Sequence, residues 1–245
     1  MPYILKNNKI DSRYEIKFFE IIRENIDNKK LDELYKLLDK KSGIIKNFIN
    51  SLNSDNKNFE EILSLIFSIR RHKTKILDTI SNENLIEAFS VFKGKKSQEI
   101  KVGKFLETFA YENILVKRDL AFEILHFFEP ENNILWTTWI YKPDNGTGSL
   151  PYMADFLKRT WDGNAYIMPF TLREMRDETD YLYELSSKNG FNIKPPFGAD
   201  ILMAYMYADY VFKMVYAESK SLSVGVPDGY TLMKKLLGIE KMTAE

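Results

Sequence analysis

Four sets of residues in this chain have types and spacings that could do chemistry, and the largest set is cationic. Between Arg70 and Lys104, nine Lys/Arg stand against four Asp/Glu, a local excess in a chain whose 35 Lys+Arg balance 35 Asp+Glu. Arg70, Arg71, Lys73, Lys75, Lys95 and Lys96 gather where short helical patterns begin and end. Helix termini and turns are common places for phosphate contacts, so these six are read as candidate contacts to a nucleic-acid backbone. No base-reading motif accompanies them. The competing account is a solvated face with lysines neutralising helix C-termini.

Trp136 and Trp139 form the second set. Three residues apart, they would share a face on a helix and point to opposite faces on a strand. Exposed, they would be stacking platforms worth about 1–3 kcal/mol per base. Buried, they would be an aromatic wedge between two helical halves. The third set is Gly146-Thr147-Gly148-Ser149, two glycines leading directly into a helical pattern. That arrangement can bring backbone amides up to an anion, with Lys142, Lys158 and Arg159 nearby in sequence. It lacks the Gly-Lys-Ser/Thr ending of a Walker-type phosphate loop, and a tight turn capping a helix accounts for it equally well.

The fourth set is carboxylate. Asp209 lies within the most apolar helical pattern of the chain, where a lone carboxylate would need a partner or carry a raised pKa. It is the candidate catalytic residue. Asp200, just after Pro195-Pro196, reads as a helix cap. Glu174, Asp177, Glu178, Asp180 and Glu184 could line one helical face, but the interleaved Arg173 and Arg176 fit local ion pairing better than a cation site. His72 and His126 belong to no metal-ligand spacing, and His126 reads as a core residue bonded to a carbonyl. No metal site and no cofactor are expected.

Composition bounds these readings. The chain has 245 residues, 44% hydrophobic, 29% charged and 14% aromatic, a globular balance with ample bulk for a core. The absence of cysteine excludes disulfides, Cys-ligated zinc, iron–sulfur clusters and thiol nucleophiles. Zero formal net charge argues against a uniformly basic nucleic-acid binder and leaves only a local basic face. No leader-like pattern and no long uncharged apolar span is visible, so a cytoplasmic protein without membrane attachment is expected.

The elements that must position these residues read almost entirely as helices. Asp11 or Ser12 can cap a first helix running to about Ile26. Lys29–Leu38 continues amphipathically, and Ser42-Gly43 is expected to interrupt it before 44–52 resumes. Residues 53–58 read as a linker. Asn58, Ser81 and Ser97 are expected N-caps, and Lys117–Phe128 is a helix stopped by Pro130. Ile134–Tyr141 is too short for periodicity to decide. Ser149 is expected to cap a helix running to Trp161, followed by a turn at 162–164. Leu172–Leu185, Asp200–Ser219 and Tyr230–Leu237 follow, with a loop at 225–229. The expected fold is mainly α: a compact multi-helix orthogonal bundle with at most one short β-hairpin near residues 134–148. It is read as one domain, 1–245, with 1–53 as an N-terminal helical layer. The leading expectation for function is contact with DNA or RNA. A protein–protein adaptor docking through 14–52 and an enzyme built on Asp209 are the alternatives.

Overall fold

The computed structural model describes residues 12–52, 58–142, 144–158, 171–218 and 228–244, with the backbone alone at 215–218. Asp11, Pro143, Arg159, the linker at 53–57, the turn at 162–164 and the loop residues 225–227 lie outside the described residues. The protein is mainly α. Among the described residues there is no strand, and the expected hairpin reduces to one antiparallel bridge between Lys142 and Thr147.

The chain groups into two compact units, Met1–Tyr35 with Trp139–Glu240, and Lys36–Thr138 with Lys241–Glu245. The first holds α1 (Ser12–Asn25), the start of α2 (Asn28–Asn50), α8 (Ser149–Phe156), α9 (Leu172–Lys188), α10 (Gly198–Glu218) and α11 (Gly229–Leu236). Its axis is α10, against which α8, α9 and α11 pack. A helix apolar on nearly every face is driven to such a position, because any orientation leaves apolar surface to bury. The second unit holds the rest of α2, then α3 (Phe59–Ser64), a 3-10 turn (Phe67–Ile69), α4 (Lys73–Thr79), α5 (Asn82–Ser90), α6 (Gln98–Thr108) and α7 (Ile114–Phe128). Here α7 is central, packed on α6 and on the 3-10 turn.

Phenylalanine supplies much of the second unit's core. Phe89 meets Phe59 edge-on at 5.3 Å and Phe105 at 5.6 Å, and Phe105 stacks on Phe109 at 4.8 Å. Such pairs add about 0.5–1.5 kcal/mol each beyond the area they bury.

Three local expectations need correction. α2 runs unbroken through Ser42-Gly43. The apolar stripe Leu34, Leu37, Leu38, Ile45, Phe48 and Ile49 stays in register across it, and one exposed glycine costs a helix only about 1 kcal/mol. Ser42 also ties the helix down there, its hydroxyl donating to the Phe127 carbonyl at 2.7 Å. At α8 the cap is Gly148, and Ser149 is already helical. Asp200, expected as a cap, stands inside α10, which begins at Gly198, while the caps at Ser81 and Ser97 stand where expected. Ser81 accepts from the Asn84 amide, and Ser97 occupies the N-cap of α6 with its hydroxyl making no capping bond.

Candidate functional site

The basic segment lies in the second unit, and packing divides its charges. Lys73 pairs with Glu60 at 3.1 Å and also donates to Ser64, while Lys75 pairs with Glu112. Lys93 donates to the carbonyls of Asn50 and Leu52, at the C-terminal end of α2. Lys101 is buried and pairs with Glu129 at 2.8 Å. Arg70 lies over the Phe67 ring at 5.4 Å, and Arg71 is exposed.

Lys95, Lys96 and Lys104 remain exposed, and among the described residues none of the three is in an ion pair. The Lys104 ammonium sits beside that of Lys96 and holds its pKa below the usual lysine value. Two like charges in contact destabilise each other unless an anion is shared between them. The turn that presents them is made by Gly94, whose φ of +94° suits glycine and whose missing side chain would face open space. Lys96 stands just ahead of the Ser97 cap of α6, and Ile100 and Lys104 follow on the helix four residues apart, on one face. Ile100 on that face is 50% exposed. Lys104 was absent from the sequence-derived candidates; Lys96 lies outside α6, so helical spacing does not relate the two.

Neither tryptophan presents a free face. Trp136 is 8% exposed, with Phe122 at 5.5 Å and the Arg118 guanidinium 5.8 Å from its ring. Arg118 is itself oriented by Asp119 at 2.8 Å, and Asp119 also accepts from the Thr138 amide and hydroxyl at 2.9 and 2.6 Å. Burial pushes the Asp119 carboxyl up, and Arg118 and the Thr138 bonds oppose it. Trp139, in the first unit, is 4% exposed and lies 6.1 Å from the Tyr207 ring.

The Gly146–Ser149 turn closes on its own chain. Lys142 N–H donates to Thr147 at 2.8 Å and Gly146 N–H to Lys142 at 2.9 Å. The first amides of α8, which an anion would use, already donate inward: Ser149 to the Trp139 carbonyl at 2.9 Å and Leu150 to that of Ile140 at 3.1 Å. Gly148 is required by this closeness. Its φ is +131°, and a Cβ there would stand 2.7 Å from the Ile140 carbonyl carbon and nearer still to its oxygen. Gly148→Ala is therefore expected to destabilise the protein by on the order of 1–3 kcal/mol through backbone strain. Urea unfolding followed by circular dichroism measures this, and an unchanged midpoint would show that the turn can relax.

Asp209 is partnered. Tyr152 donates to its Oδ2 at 2.7 Å, and Lys213, one turn later on α10, does so at 2.7 Å and also reaches the Tyr152 hydroxyl at 3.1 Å. Burial, then the Asp209 carboxylate, pushes the Tyr152 phenol up to about 12. A proton donor this reluctant at neutral pH suits a structural bond better than acid–base chemistry. The acidic face of α9 is similarly used internally: Glu174 closes a capping box with Thr171, and Glu178 is buried. His126 is buried with Nδ1 2.7 Å from the Asn133 carbonyl, as expected for a core histidine. Among the described residues, no three His, Asp or Glu stand together as a metal site, and no helix is long and apolar enough to cross a membrane.

Compared with protein-family models, curated proteins and solved structures, the chain matches none.

Proposed function

We propose that this protein binds the sugar–phosphate backbone of nucleic acid through Lys95, Lys96 and Lys104. One observation carries the reading. While Lys73, Lys75 and Lys101 are neutralised by carboxylates, Lys95, Lys96 and Lys104 are exposed and, among the described residues, in no ion pair, with the Lys96 and Lys104 ammonium groups side by side. Exposed ammonium groups held together are already partly desolvated by one another, and a polyanion relieves their repulsion while releasing its condensed counterions.

The alternatives draw less support from the same residues. An adaptor docking through 14–52 requires a continuous apolar surface there, yet Phe19 and Leu34 are fully buried and Ile16, 52% exposed, stands out alone. An enzyme built on Asp209 requires a carboxylate free to act, and this one is held by Tyr152 and Lys213.

Three phosphates neutralised would give a slope of log K against log salt of roughly −2.7, a loss of about 40-fold between 50 and 200 mM. Fluorescence anisotropy with a labelled oligonucleotide measures this slope. Charge reversal at Lys95, Lys96 and Lys104 together should flatten it. Absence of binding at 50 mM salt, or an unchanged slope in the triple variant, would overturn the proposal.

A further inference from the structure

We infer that the nucleic acid bound at this surface is a duplex, contacted along its backbone without reading of base sequence; the inference rests on the backbone-binding reading above. Single-strand binders gain about 1–3 kcal/mol per base from aromatic platforms. The two tryptophans that the sequence offers for that purpose are in the cores, at 8% and 4% exposure. What the loop and α6 present is of another kind: three ammonium groups, the Ser97 hydroxyl without a capping bond, the Ile100 side chain, and open space over Gly94 and Gly103. Ammonium and hydroxyl groups suit phosphate oxygens, an aliphatic side chain suits the face of a sugar, and a glycine lets the helix backbone come close. None of these carries the paired donor–acceptor pattern that distinguishes one base from another.

The charges are also compact. Lys96 stands just ahead of the α6 cap and Lys104 on the helix, and the Lys104 side chain leans back toward the N-terminus, so that the two ammonium groups are neighbours. A dense cluster of cations favours the denser polyanion. A duplex carries one charge per about 1.7 Å of axis, and each phosphate neutralised on it contributes about 0.9 to the salt slope, against about 0.7 on a single strand. For three contacts the difference amounts to roughly sixfold at 50 mM salt.

The test is anisotropy of the full chain with labelled duplexes of three unrelated sequences and with each of their separated strands, at 50 mM salt. The expected result is duplex binding about fivefold or more tighter than either strand, equal among sequences to within about threefold. Lys96→Glu/Lys104→Glu should weaken it at least tenfold, with Ile100→Ser giving a smaller loss and an unchanged circular dichroism spectrum. Single strands bound as tightly as duplex would overturn this inference and leave the backbone reading standing, as would a sequence preference above about tenfold. A folded Lys96→Glu/Lys104→Glu protein binding duplex normally would remove this surface from the interaction. Failure of every oligonucleotide to bind would overturn the backbone reading and this inference with it.

Discussion

Lys41→Met is expected to destabilise the second unit by about 3–5 kcal/mol, although methionine fits the volume and the helix. Lys41 is 0% exposed, and its ammonium lies 3.0 Å from Oε1 of Glu123, itself 2% exposed. The Phe127 ring faces the same ammonium at 3.8 Å. Removing the cation leaves a carboxylate with no water to solvate it. Among the described residues, Glu123 would keep the Phe67 amide at 3.3 Å and the Ser68 hydroxyl at 3.0 Å. Those two bonds join α7 to the 3-10 turn, so the strain should reach the start of the basic segment. Glu123→Leu alone should also be harmful, because it takes the facing carboxylate away from a buried ammonium. The double variant Lys41→Met/Glu123→Leu should recover most of the loss, since replacing both members of a buried pair with apolar groups is often neutral or better. Urea unfolding of the three variants forms a double-mutant cycle. Additive single losses would show that the ion pair is not the source of the effect.

That pair also marks what spacing could and could not reveal. The helices were legible because each buries a stripe at helical period, as Phe18, Phe19 and Ile22 do on α1, although the helix expected over 59–69 ends at Ser64 and gives way to a 3-10 turn. Ser81 announced itself by residue type and position. The expected break at Ser42-Gly43 failed because a turn signal was weighed without the Phe127 carbonyl that Ser42 bonds, 85 residues away. Lys41 and Glu123 are 82 residues apart, and Lys75 and Glu112 are 37 apart. Local charge counting sees a basic segment where folding supplies the carboxylates from elsewhere. The exception is Asp209, whose Lys213 partner at i,i+4 was readable within one helix. The tryptophan spacing was ambiguous for a different reason. The chain passes from one unit to the other between Thr138 and Trp139, so the two indoles three residues apart enter separate cores and no single periodicity describes both.

Tyrosine burial predicts the second large effect, a steep loss of stability in alkali. Burial pushes the fully enclosed Tyr141 phenol up to about 12 and raises that of Tyr205, which is also buried, well above the ordinary value. In the unfolded chain both phenols ionise near pH 10. Below that pH neither state loses the proton, and the full stability is present. As pH rises past 10 the unfolded chain releases protons that the folded one retains, so unfolding becomes easier by about 1.4 kcal/mol per pH unit for each such tyrosine. For Tyr141 the contribution is exhausted near pH 12, after a total of about 2.7 kcal/mol. Lys213 acts in the same direction. Burial lowers its pKa, but the bonds to Asp209 and Tyr152 outweigh that and leave it raised, so the support it gives α10 also fades as alkali deprotonates it. The expected measurement is an unfolding free energy that is flat from pH 8 to about 9.5 and then falls up to pH 11 by at least about 3 kcal/mol per unit, which Tyr141 and Tyr205 alone supply and to which the raised phenols of Tyr152, Tyr183 and Tyr230 add. Tyr141→Phe should shift the whole curve by whatever loss of the hydroxyl costs, but its signature is the slope, reduced by about one proton's worth. A mere change of packing would move the curve without tilting it. A wild-type profile that stays flat to pH 11 would mean that these phenols ionise as freely in the folded chain as in the unfolded one.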